Sequence, residues 1–328
     1  MAVLGVMALI LFTPNACCAG AVSGLMLCGN IIIPSLFPCC VMSCFLTGSA
    51  AFEFLGKICS PLKKVFNLSG KGICVIFLSL ISGYPVGAKL VKGLYEQNEI
   101  SESEAKMLVC CCTNPGPAFV ILAVGKGMLG SAKAGCLLFL SGTFACLLLN
   151  IIFKAPAPCT SKGTASPLPL SDAFVSSVSV TCRTVLEICG WVVLFSALLA
   201  SLKAVLPANI HRVISAFCEV TTATLSLRHN IYLVALCISW CGFSVHAQVM
   251  AASRNIKPNY LMFAGIRLLH GIITVIILKI LLLLFPVALP AASGAKPVYS
   301  GNSASLPAAV ALFITCIIFL LSLKKSRL

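Results

Sequence analysis

Charge is what this sequence has least of. Asp, Glu, Lys and Arg make up only 9% of its 328 residues, against 59% hydrophobic, where a soluble domain is about one-quarter charged. No charged side chain occurs from Met1 to Phe52, between Lys133 and Lys154, or between Lys296 and Lys324. Each of these runs is long enough for the roughly 20 apolar residues that cross a bilayer as a helix. They exclude a soluble globule. Their lack of strict alternation excludes a β-barrel. Backbone in lipid must satisfy its own hydrogen bonds, so the expected fold is an all-α polytopic integral membrane protein. About eight to ten membrane segments are expected, some of them broken or re-entrant.

Acids are scarcer still. There are 8, and half fall between Glu96 and Glu104. No HExxH, GxSxG or Walker loop is present, and no enzyme activity or cofactor is expected. The net charge of +15 comes mostly from basic residues that punctuate apolar segments, which points to membrane orientation rather than nucleic acid. The 20 cysteines include no paired CxxC motifs in polar loops. Cys39, Cys40, Cys44, Cys136, Cys146 and Cys237 lie within apolar segments and read as small hydrophobes, so no metal site is expected.

The informative stretch runs from Leu78 to Met128. Two apolar segments break there, at Ser82-Gly83-Tyr84-Pro85-Val86-Gly87-Ala88-Lys89 and at Thr113-Asn114-Pro115-Gly116-Pro117. A helix broken inside a membrane exposes N–H groups that attract anions and carbonyls that attract cations. Gly83 and Gly87 permit close approach, and Pro85 removes a donor. Lys89, one turn beyond Pro85, is placed to face a solute carboxylate, or to snorkel from a simple kink to a headgroup. Pro115 and Pro117 around Gly116 cannot continue a regular helix, while Asn114 offers both a donor and an acceptor. The alternative for that segment is a tight turn outside the membrane. Ser101 followed by Glu104 forms a capping box for the helix entering Cys110.

Along the rest of the chain, Met1 to Phe12 reads as a retained first helix. Ala16–Asn30 and a span opened by Pro34-Ser35-Leu36-Phe37-Pro38 follow, and then a basic loop from Glu53 to Lys71. Residues 1–153 form a first membrane unit, 154–171 a Pro/Ser/Gly-rich linker, and 172–328 a second unit ending in a span at Ala308–Leu323. Ile81–Ala88 can be laid over Trp240–Ala247, and Leu36-Phe37 over Leu194-Phe195 at nearly the same separation. This predicts a two-fold internal repeat of inverted topology. Ser244, His246 and Gln248 then stand at the second unit's break. Glu219, followed by Thr221 and Thr222, has the chemistry to bind a coupling proton or sodium ion, or is a surface carboxylate of an interfacial helix. Glu187 and Arg183, one turn apart, predict an intrahelical pair. His246 and His270 read equally as helix-packing hydrogen bonders.

Ser82–Lys89, the acidic loop, Asn114-Pro115-Gly116-Pro117-Ala118-Phe119, Pro34–Pro38 and Glu219-Val220-Thr221-Thr222 together resemble the YlbJ family of sporulation integral membrane proteins, also called SpoVV. The likeness covers nearly the whole chain. These proteins look related to the nucleoside-recognition Gate domain and to concentrative nucleoside transporters. The resemblance implies movement of a small anionic solute, dipicolinic acid, from mother cell towards forespore across the outer forespore membrane. Ser244 stands where Pro85 does in the first break, Gln248 where Lys89 does, and Ala223 where a glycine is expected. A nucleoside or other small solute, or a scaffold for spore-envelope assembly, are the other functions this pattern permits.

Overall fold

The computed structural model describes residues 2–153 and 168–287, all in helices and connecting turns. The chain opens with α1 (Ala2–Phe12) and α2 (Pro14–Leu27). A π turn (Cys28–Ile32) leads directly into α3 (Ile33–Gly48). Two spans separated near Pro34 were expected, but one 35-residue path runs from Pro14 to Gly48. The wider i→i+5 turn ahead of Pro34 makes room for its ring and for the N–H it lacks, so the helix continues.

Next come α4 (Ala51–Ile58), a 3₁₀ turn (Ser60–Leu62) and α5 (Lys63–Phe66). A loop was expected here. The segment is helical instead because it has an apolar side to bury, with Phe52 and Phe66 turned inward and Lys63 and Lys64 exposed. The first broken segment is α6 (Gly70–Ser82) and α7 (Val86–Glu96). The second is α8 (Glu102–Cys111) and a π-helical stretch (Ala118–Met128), followed by α9 (Ala132–Ile152). Ser101 caps α8 by accepting from Glu104 N at 3.2 Å. Glu104 does not close the expected capping box. Its carboxylate accepts from Ser69 N and Ser69 Oγ, at 2.8 and 2.6 Å, and so caps α6 instead.

Beyond residue 167, α10 (Leu170–Val205) is a single 36-residue helix that begins inside the expected linker. Then come α11 (Ala208–Cys218), α12 (Val220–Ser226), α13 (Ile231–Trp240), α14 (Gly242–Ala252) and α15 (Tyr260–Leu284). The expected last span, Ala308–Leu323, and residues 154–167 of the linker lie outside the described residues.

Five helical paths among the described residues are long and apolar enough to cross a membrane. The bent pair Ser60–Phe66 and Gly70–Ser82 adds a sixth if it is one span. The count falls below the expected one because Pro34 does not split its helix and because the last span is not described.

The long path α2–α3 lies antiparallel to α10. Gly20 meets Ser196 and Ala200, Gly24 meets Val193, and Phe45 stacks edge-on against Phe174 at 5.8 Å. A Cβ at Gly20 would lie 2.5 Å from the Ala200 Cβ, so the small residues at i and i+4 set how closely the helices approach. The order of elements also recurs at nearly constant separation. Pro14 and Leu170 start the long helices, Ala51 and Ala208 the short ones, and Glu102 and Tyr260 the elements after the glycine breaks.

Candidate functional site

The first break forms because Gly83 adopts φ 79°, a left-handed conformation that a side chain resists. A Cβ there would sit 2.7 Å from Gly116 N. The break in α6–α7 and the break after α8 therefore touch. At the latter, Pro115 and Pro117 lack the N–H groups that the Cys111 and Thr113 carbonyls would meet in a continuing helix. Asn114 Nδ2 supplies one substitute, donating to Cys111 O at 3.2 Å.

The second half repeats the device. Cys241 and Gly242 both have φ 74°, and a Cβ on Gly242 would lie 2.9 Å from Cys218 O. Residue 219 is the extended junction between α11 and α12. The carboxylate of buried Glu219 caps α12, accepting from Thr221 N at 3.0 Å and Thr222 N at 2.6 Å. In each half, then, a left-handed glycine break is pressed against a second interruption.

Both contacts border one cavity of about 550 Å³, open mouth included. Its wall takes Tyr84 from the first break, Pro115, Gly116 and Phe119 from the second, Glu219 and Thr221 from the third, and Ser244 and Gln248 from the fourth. Ser35, Leu36, Ile188 and Val192 on the long helices complete it. The Tyr84 hydroxyl is buried, with no hydrogen-bond partner among the described residues. Gln248 Nε2 donates to Ser244 Oγ at 3.3 Å. Among the described residues, Glu219 is the one charged side chain lining this cavity. Tyr84, Pro115, Gly116 and Glu219 lie in the turns just before α7, the π-helical stretch and α12, Phe119, Thr221 and Ser244 in the first turns of the π-helical stretch, α12 and α14, and Gln248 in the second turn of α14. Helix starts carry partial positive charge; at α12 the Glu219 carboxylate already meets it, while at α7, the π-helical stretch and α14 no acidic side chain on this wall does.

The remaining sequence candidates fall elsewhere. Ser82 hydrogen-bonds Ser43 and Leu78 O. Gly83 and Gly87 provide close packing, Gly87 against Cys112 O. Pro85 precedes α7 and Pro117 precedes the π-helical stretch, and Thr222 serves through its backbone N–H. Asn114 points to a smaller space shared with Thr143 and His270, where Asn114 Oδ1, Thr143 Oγ1 and His270 Nδ1 have no hydrogen-bond partner among the described residues. His246 is a packing residue: its Nε2 lies 2.8 Å from Trp240 O and its ring lies 4.3 Å from that of Trp240.

Lys89 lines a separate, larger cavity of about 850 Å³ between α3, α7 and α10, together with Cys40, Thr47 and Ser177. Its Nζ bonds Glu187 Oε2 at 2.5 Å and Thr184 Oγ1 at 3.1 Å. Glu187 thus meets Lys89 rather than Arg183 as expected, because α7 packs where the two side chains converge. Ser35 and Phe119 were legible only as parts of motifs, and nothing in their local sequence marked them as cavity residues.

No family model matches the chain, and no solved structure matches it. Among curated proteins it is similar to the sporulation integral membrane protein YlbJ of Bacillus subtilis (strain 168). The two are 24% identical over 318 aligned positions, covering 82% of this chain and 78% of the relative. Likeness over that share of both chains supports the resemblance to the YlbJ family of sporulation integral membrane proteins.

Proposed function

We propose that this protein carries a small anionic solute across a membrane of a sporulating bacterial cell, with the cavity at the meeting of its broken helices as the solute site. The observation that carries this reading is the convergence of helix starts on one cavity with an open mouth. A purely structural bundle gains nothing from interrupting helices at membrane depth, since each freed backbone group must find a partner. Around a solute the freed groups find one.

Dipicolinate is the first solute to test, on the resemblance to proteins that handle it in the outer forespore membrane. Its carboxylates would meet the N–H groups of the helix starts and the Tyr84 hydroxyl, and its ring would lie against Phe119. Glu219 is the group for a coupling proton or sodium ion, with Thr221 beside it. The two halves act as inverted copies that rock about the site. The recurring element order and the paired glycine breaks support this.

A nucleoside is the second reading. It is favoured by the hydroxyl and amide groups of Ser35, Tyr84, Thr221, Ser244 and Gln248 on a largely apolar wall where, among the described residues, Glu219 is the one charge. Uptake of labelled dipicolinate and of labelled uridine by proteoliposomes separates the two. Saturable dipicolinate uptake that uridine does not compete away supports the first. Uptake of uridine alone supports the second. Uptake of neither, in vesicles where the protein is folded and oriented, removes the transport reading and leaves a scaffold.

A further inference from the structure

Arg267 is fully buried in the middle of α15, and among the described residues it forms no ion pair. A guanidinium taken into such an interior without a carboxylate is costly, and it persists where other acceptors hold it. Here the acceptors are backbone. Nη2 donates to Cys110 O at 2.8 Å, and Nη1 donates to Thr113 O. Cys110 lies in the last turn of α8, and Thr113 lies just beyond its C-cap, Cys112. The Thr113 carbonyl is one that Pro117 cannot serve, since proline has no N–H.

The fork thus closes the open end of a broken helix from outside, where the partial negative charge of that end is concentrated. Phe263, one turn earlier, lies beneath the guanidinium with its ring centroid at 6.0 Å. Cys241, at the second half's left-handed break, belongs to the same buried cluster as Phe263 and Ile266, which flank Arg267 on α15.

We infer that Arg267 is a positioning residue for the candidate site. By capping α8 it fixes the Asn114–Pro117 segment, and through the cluster of Phe263, Ile266 and Cys241 around it this anchor reaches the break in the other half. The inference about solute handling rests on the transport reading; the inference about backbone order does not.

Hydrogen–deuterium exchange on the full chain in nanodiscs tests the backbone claim. Arg267→Met should speed exchange about tenfold in peptides spanning residues 111–120 and 240–245, as expected when buried carbonyls lose their donors, while α9 and α10 keep wild-type protection. Unchanged exchange in those two peptides, or equal acceleration throughout the bundle, overturns it. Should Arg267→Met fail to insert, Arg267→Lys serves, because it keeps the charge and loses the planar fork. The same local pattern is then expected, and wild-type exchange overturns the inference.

Dipicolinate uptake is the second arm. Arg267→Lys should raise KM about tenfold with a smaller change in Vmax, and a fall in Vmax at unchanged KM counts against positioning. If the wild-type protein takes up no dipicolinate, the transport reading falls while the exchange arm still decides the role of Arg267.

Discussion

The two halves of this molecule interrupt their helices in the same way and stabilise the interruptions differently. In each, a left-handed glycine presses on a second break: Gly83 on Gly116, and Gly242 on Cys218 and Glu219. The partner of Gly83 is built from prolines, so it has carbonyls to satisfy. It borrows Asn114 locally and Arg267 from α15. The partner of Gly242 has helix-start N–H groups to satisfy, and Glu219 does so from its own position. A helix end that lacks donors needs a cation or amide brought to it. A helix start that lacks acceptors can be closed by one carboxylate in sequence. The first half therefore depends on distant parts of the chain, and the second is nearly self-contained.

The sharpest way to break this comparison is at the glycines. Gly83→Ala should cost the most, since the left-handed backbone strains an alanine by about 1–3 kcal/mol and its Cβ would be 2.7 Å from a backbone nitrogen. Gly242→Ala, at 2.9 Å from Cys218 O, should follow closely. Thermal unfolding midpoints in detergent measure both, and wild-type midpoints for either would show that the close contacts are not required.

Next in size is Asn114→Ala, which takes away the side-chain amide that meets the Cys111 carbonyl. A loss of about 1–3 kcal/mol is expected for an orphaned buried acceptor, read from the same unfolding curves. A neutral result would mean that Cys146 Sγ, already 3.5 Å from that carbonyl, suffices alone.

Glu219→Ala should remove an N-cap, at about 0.5–2 kcal/mol. Glu219→Gln should recover much of it, because one oxygen still accepts. If the glutamine variant is as unstable as the alanine one, the charge rather than the hydrogen bond closes α12. Transport that keeps its ion dependence in Glu219→Gln would remove the coupling role.

Lys89→Met should matter least to stability, within about 1 kcal/mol, since its partner Glu187 is largely exposed and such pairs contribute little. It should nonetheless reduce dipicolinate uptake if the cavity at Lys89 lies on the solute path. Unchanged uptake would confine the path to the central cavity.

The breaks were legible because glycine and proline act on the backbone locally, wherever the chain goes next. Gly83 and Gly116 meet because each interrupted segment leaves backbone groups that need partners. Other features left no such mark. Arg267 binds carbonyls, which every residue carries, so its partners cannot be read from residue types. Glu104 was legible as a cap but not as a cap for a different helix, because Ser69 is remote in sequence. Lys89 was placed by helical spacing beside Pro85, yet its side chain extends towards α10, and only packing decides that. Pro34 signalled a break that a π turn absorbs, a choice made by the hydrogen-bond register rather than by composition.

The paired long helices carry a consequence for the bilayer itself. At about 1.5 Å per residue, the 36 residues of α10 extend about 54 Å, while a hydrocarbon core is about 30 Å thick. Helices of this length must lie oblique to the membrane normal or stand out into the headgroups. Since α3 and α10 wall both cavities, their inclination and the shape of those cavities are one variable. Lipid thickness then becomes an input to the protein's internal geometry, and membranes of different composition would hold the same chain at different settings.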